Sequence, residues 1–238
     1  MLIKEDTDHT EINRINDVAS VRSLPAERWA SSPRAQMGLA WQSKVVIECG
    51  GALLMLTTIL PLLAVIALAI LLESGRPVLF LQPRFGRFGV PFSVLKFRTM
   101  HQALCDPSGA AQTDDADPRI TRVGQFLRKT SLDELPQLWN VVAGQMALIG
   151  PRAHPCGMCV QDVLCETLIP YYHNRHVVRP GITGWAQVNG SRGAVKSVEA
   201  LKQRVALDLD YIATWSLLLD LKILWRTIHV VFSRTGAQ

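Results

Sequence analysis

No charged residue occurs between Cys49 and Leu72, and this unbroken apolar run limits what the chain can fold into more than any other feature. As a straight helix it would reach roughly 36 Å, against about 30 Å of bilayer hydrocarbon. A long polar segment precedes it and no small-residue cleavage site follows, so it does not read as a cleavable signal peptide. Pro61 lies at its centre and removes the hydrogen bond to the Thr57 carbonyl. The sequence therefore predicts a break there, with the Thr57 and Thr58 hydroxyls placed to satisfy carbonyls nearby. Each half, roughly 17 Å long, would enter half of the bilayer. Arg28, Arg34 and Lys44 precede the run, and Arg76, Arg84 and Arg87 follow it. Basic flanks on both sides suit a re-entrant segment with both ends on the cytoplasmic face; a kinked single span is the rival reading.

The residues before this run, 1–40, are polar, of mixed charge and without sustained periodicity, and read as a mobile tail. Over the whole chain 25 Lys and Arg stand against 20 Asp and Glu, which points to anionic partners. Aromatic residues make up only 7%, and no homeodomain, zinc-finger or RNP pattern occurs, so nucleic acid is not an expected partner. Cys49, Cys105, Cys156, Cys159 and Cys165 form an odd set without a secretion signal, as in a reducing compartment.

Beyond Gly75 the pattern turns strand-like, over 78–82 and 92–98 with glycines between, and predicts a β-hairpin. Lys96 and Arg98 would share one face of its second strand. Residues 101–116 read as a surface loop, and 117–124 as a turn into a short helix that delivers Arg128. Next comes the segment in which chemistry is expected. Ser131 and Glu134 have capping-box spacing, and Leu132, Leu135, Trp139 and Val142 recur at helical intervals. Asp133 and Glu134 would then lie in a helix's first turn, with pKa values lowered by the dipole and Arg128 and Lys129 ready for a phosphate. The plainer reading of the same residues is a well-capped helix.

Leu148 to Arg152 reads as a strand ending in a rigid turn with a fixed guanidinium. His154, Cys156, Cys159 and Cys165 could just supply four zinc ligands, although incidental thiols are the default. Residues 175–193 are dense in glycine, basic and amide side chains, as in a ligand-binding loop or an ordinary basic one. Helices are expected from Val198 to about Ala206 and from Leu207 to Arg226. Tyr211, Trp215, Lys222, Trp225 and Arg226 suit a helix at a lipid interface, with core packing as the alternative.

Taken in order, the motifs 96–100, 117–121, 128–137, 150–152 and 179–184 resemble the bacterial sugar transferase family, the monotopic phosphoglycosyl transferases that act on polyprenyl phosphates. The resemblance covers about Lys44 to Thr227. It departs at Leu60, where the family usually has Ser, at Ala153, where it usually has Pro, and at Glu48, where Asp is usual. The resemblance implies an α+β fold, mostly helical. A re-entrant helix broken at Pro61 (41–74) would join a cytoplasmic-face catalytic domain (75–238) with a small β-hairpin and C-terminal interfacial helices. The implied activity moves a hexose-1-phosphate from a UDP-sugar to undecaprenyl phosphate at the inner membrane and releases UMP, opening exopolysaccharide or other glycan assembly. Asp133 would be the nucleophile that forms a phosphosugar-aspartyl intermediate, and Glu134 with Asp133 would hold Mg²⁺. Arg128, Arg152, Lys96 and Arg98 would meet the phosphates, and Arg175, Arg179, Gln187 and Asn189 the nucleotide end. The alternatives are a silent membrane-bound scaffold, or the same chemistry with an N-acetylamino sugar; the expected partners include membrane lipid and a homo-oligomer.

Overall fold

The computed structural model describes residues 38–101 and 117–233. The expected tail before Gly38, nearly all of the expected loop at 101–116, and Cys105 lie outside them. Helix α1 (Leu39–Ser74) leads into strands β1 (Leu79–Phe85) and β2 (Pro91–Phe97), joined through a 3₁₀ turn at Arg87–Gly89. Then follow α2 (Arg122–Thr130), a 3₁₀ turn at Leu132–Glu134, α3 (Gln137–Val142) and β3 (Ala147–Ile149). The remaining elements are β4 (Cys159–Val160), β5 (Val163–Leu164), α4 (Cys165–Leu168), β6 (Gly181–Thr183), α5 (Trp185–Val188), α6 (Val198–Thr214) and α7 (Leu217–Ser233). Among the described residues the strands form three two-stranded sheets: β1 with β2 and β4 with β5 antiparallel, β3 with β6 parallel.

Helix α1 is long and apolar enough to cross a membrane, and most of its apolar run is exposed. The chain stays helical through Pro61 rather than breaking there. A proline costs the helix one donor, and the Thr57 and Thr58 hydroxyls both donate to the Leu54 carbonyl, one turn earlier than the carbonyl that Pro61 releases. The face turned inward is narrow. Ala52 packs with Val94, Leu138, Val141 and Met146, and Ile66 and Ile70 with Phe97 and Leu127. Burial of each large side chain contributes about 1.5–3 kcal/mol. Leu54, Leu60, Val65 and Leu72 lie on the other side, at 69%, 62%, 64% and 78% exposure, a distribution suited to lipid rather than water.

Both ends of α1 are fastened to the same folded body. Near its start, Lys44 Nζ donates to Glu48, to Asp220 Oδ2 on α7 and to the Ile149 carbonyl on β3. Glu48 in turn accepts from the Ile149 amide and from Arg179. At its end, Glu73 accepts from the amides of Arg122 and Val123, capping α2, while Arg98 donates to the carbonyls of Ser74 and Gly75.

The C-terminal helices divide at Trp215, later than the sequence pattern suggests. Tyr211 is buried and donates to Asp220 and to the Ile149 carbonyl, so it is a core residue rather than a lipid anchor. Trp215 is likewise held, its indole donating to Asp220 and its ring set edge-on to Trp41. Helix α7 does carry an exposed apolar face, of Leu218, Leu221, Leu224, Trp225 and Ile228. Because Asp220 serves Lys44, Tyr211 and Trp215 from a buried position, its replacement by Ala takes one of two counter-ions from a buried ammonium and leaves the Tyr211 hydroxyl and the Trp215 indole without this acceptor. We expect a loss of about 3 kcal/mol in chemical unfolding of the detergent-solubilised protein.

Candidate active site

The segment that carries the two carboxylates is not the capped helix that the spacing suggests. Ser131 adopts the left-handed conformation, φ 57°, and ends α2 without a side-chain cap. Asp133 and Glu134 then occupy a 3₁₀ turn between α2 and α3. Three residues of 3₁₀ helix supply little dipole, so neighbouring side chains decide the charge of each carboxylate.

Three elements converge on this turn. Gly124 of α2 lies against the Thr99 backbone so closely that an added Cβ would come within 2.1 Å of the Thr99 carbonyl oxygen. Asn140 of α3 accepts from the Leu95 amide and donates to the Ser93 carbonyl, both at 2.9 Å, which fixes the stretch of β2 carrying Lys96. Arg152 leaves a turn in which Gly150 meets Gly181 and Gly184; a Cβ on Gly181 would lie 2.1 Å from the Gly150 nitrogen. The carbonyl of Arg152 accepts from Arg175, whose guanidinium is buried against Asp208.

Glu134 is therefore clamped. Lys96 Nζ donates to Oε1 at 2.9 Å, and the Arg152 guanidinium donates to both oxygens. Burial alone would raise the Glu134 pKa, but Arg152 and Lys96 outweigh it and hold the group well below the usual carboxylate range. Asp133 goes the other way. Burial, followed by the neighbouring charge of Glu134, raises it to about 6 against the opposing pull of Lys96, Arg128 and Arg152. Its carboxylate hydrogen-bonds to none of the described residues. The pair is thus divided into an anchored anion and an uncommitted one, which the expectation of two dipole-lowered carboxylates did not contain.

The other expected site residues separate into two groups. Arg128 lies within electrostatic reach of Asp133, and its Nε donates to the Thr99 hydroxyl. Arg98 does not share the Lys96 position, since it is buried against the end of α1. Arg175 and Arg179 are buried in ion pairs with Asp208 and Glu48, so their place is in the core. Gln187 donates to the Ile182 carbonyl, which also accepts from Arg152, and Asn189 bonds to the Trp185 carbonyl and to Arg226. Two cations not expected at the phosphates, Arg84 and Arg192, lie within electrostatic reach of both Arg152 and Glu134. Arg84 follows the strand alternation of β1 and could have been found from it; Arg192 sits in a loop with no such signal.

No group of three His, Cys, Asp or Glu side chains converges among the described residues. His154 is buried and bonded to Tyr172, and among the described residues the thiols of Cys156, Cys159 and Cys165 do not gather with it into a metal-ligating group. Mg²⁺ asks for less, since it commonly takes one or two carboxylates together with phosphate oxygens and water. Asp133, with its oxygens uncommitted, fits that demand, whereas both oxygens of the adjacent Glu134 already accept from Lys96 and Arg152.

The sign of the Asp133 shift gives a stability test. A carboxyl group whose pKa is raised on folding adds stability below its unfolded value and loses it as pH rises through about 6. Asp133→Asn should therefore raise the melting temperature at pH 7.5, with the gain disappearing below about pH 4. Equal gains at both pH values would contradict the assignment.

The family model of the bacterial sugar transferases matches residues 39–234. An undecaprenyl-phosphate glucose phosphotransferase of Komagataeibacter xylinus is 47% identical over 194 residues, 81% of this chain and 36% of that relative. The exopolysaccharide production protein PSS of Rhizobium leguminosarum bv. phaseoli is 47% identical over 173 residues, 73% of this chain and 86% of that relative. A UDP-glucose:undecaprenyl-phosphate glucose-1-phosphate transferase of Caulobacter vibrioides is 49% identical over 194 residues, 82% of this chain and 71% of that relative. The chain thus spans about a third of the Komagataeibacter protein and most of the other two.

Proposed function

Because the chain belongs to the bacterial sugar transferase family, we propose that it transfers a hexose-1-phosphate from a UDP-sugar to undecaprenyl phosphate and releases UMP. The names of the Komagataeibacter and Caulobacter relatives support glucose as the sugar, and that of the Rhizobium relative supports exopolysaccharide assembly. The observation that carries the reading is the division of labour between Asp133 and Glu134: an ionisable carboxylate with free oxygens stands beside one that two cations hold in place.

In the first step an Asp133 oxygen bonds to the sugar-proximal phosphorus while the bond from that phosphorus to the bridging oxygen breaks. The bridging oxygen keeps the electron pair and leaves on UMP. In the second, a phosphate oxygen of undecaprenyl phosphate attacks the same phosphorus, the bond to Asp133 breaks, and the carboxylate is restored. Lys96, Arg128 and Arg152 reduce the repulsion that one anion meets in approaching another. Asp133 would hold Mg²⁺, which when bound offsets charge on the diphosphate, and Glu134 would join it only by giving up a bond to Lys96 or Arg152.

The attachment of both ends of α1 to one body supports a re-entrant helix with the site on the cytoplasmic face of the inner membrane. A free span would instead need about 30 Å of hydrocarbon between those ends. Cysteines introduced singly at Gly38 and Arg76 in a cysteine-free protein should both resist an impermeant thiol reagent in intact cells. Labelling of just one would establish a span.

Purified protein with UDP-glucose, Mg²⁺ and undecaprenyl phosphate should release UMP, and the rate should fall as pH drops through about 6, where Asp133 takes up a proton. Asp133→Asn should lower the rate by at least about a thousandfold, as loss of a covalent nucleophile does. A scaffold without catalysis would show no UMP release and would complement a deletion strain even with Asn at that position.

A further inference from the structure

The site gathers more cations than its two carboxylates need, and most of them are spent on protein atoms. Lys96 and Arg152 donate to Glu134. Arg84 donates to Gln82 and to the Ala153 carbonyl, and Arg128 to the Thr99 hydroxyl. Arg192 differs. It is half-buried and within electrostatic reach of Arg152 and Glu134, yet its guanidinium hydrogen-bonds to none of the described residues.

The backbone that carries Arg192 is held in place. Arg204, buried on α6, donates to the Ser191 hydroxyl at 2.9 Å and to the Gly193 carbonyl at 3.1 Å, gripping the residue on either side of Arg192. The Ser191 amide donates to the Ala186 carbonyl at 2.9 Å. Gly190 and Gly193 take φ values of 90° and 71°, which side chains rarely adopt, so the loop shape is written into the sequence. A fixed loop thus brings an uncommitted guanidinium to a place where burial and a second arginine disfavour its charge. An arriving anion would relieve both costs.

We propose that Arg192 contacts the substrate and binds the nucleotide-side phosphate, with Arg204 as the residue that positions its loop. The proposal rests on the transfer reading above. When the bridging oxygen departs with its electron pair, the UMP phosphate gains negative charge, and a guanidinium offers that group two parallel donors. Lys96 and Arg152, engaged with Glu134, are placed instead at the carboxylates and the sugar-proximal phosphate.

The test compares direct binding of UMP and of uridine to the full-length wild-type protein and to Arg192→Gln by titration calorimetry. The variant should bind UMP about tenfold or more weakly, with uridine affinity unchanged. Arg192→Lys should recover part of the UMP preference, and it keeps the test open if the Gln variant does not fold. Equal UMP affinity in wild type and in a folded variant would overturn the proposal, as would an equal loss for UMP and uridine. UMP release from UDP-glucose by the wild type is scored separately: its failure counts against the transfer reading, while the calorimetric comparison still decides the contact.

Discussion

The backbone of one residue, Ile149, is where the parts of this structure are tied together. Its amide donates to Glu48 of α1, and its carbonyl accepts from Lys44 of α1 and Tyr211 of α6. Lys44 and Tyr211 both reach Asp220 of α7, so four elements share one buried set of charges and hydrogen bonds. Removing a partner from such a set is costly because the others stay buried. Three residues further along the chain, Arg152 grips Glu134. The apolar helix is thereby linked to the carboxylates through a few bonds of backbone, across a turn where Gly150, Gly181 and Gly184 pack too closely for any side chain.

The same linkage explains how neighbouring carboxylates acquire different characters. Glu134 is the counter-ion that keeps Lys96 and Arg152 together, and its charge is never in question. Asp133 gains burial from this arrangement without gaining a hydrogen bond. A carboxylate that is ionised at neutral pH, poorly solvated and not tied down is suited to attack phosphorus; one locked by two cations is not. Two residues adjacent in sequence thus diverge through what packs against them.

Much of the fold was legible in advance because its signals are local. Alternation marked β1 and β2, the turn at 117–124 pointed into α2, and the apolar intervals from Leu132 to Val142 marked the segment whose later part is α3. Non-local pairings were not legible. Arg175 and Asp208 stand 33 positions apart, and Arg179 and Glu48 stand 131 apart, so nothing in the basic loop showed that these arginines are core ion pairs rather than ligand contacts. Ser131 misled for another reason. Its spacing to Glu134 fits a capping box, but cations from two distant segments claim the Glu134 side chain, and Ser131 turns left-handed to end the preceding helix. Tyr211 and Trp215 look like interface anchors by composition and are instead drawn inward by Asp220.

Asp133 is proposed as a covalent way-station, and the most direct measurement is to look for the bond. Protein mixed with UDP-glucose labelled in the sugar, without undecaprenyl phosphate, then quenched and digested, should yield a peptide containing residue 133 that is heavier by one hexose phosphate. The added mass should vanish when the acceptor is supplied. Turnover at the normal rate with no adduct at this position, or an adduct at another residue, would contradict the account.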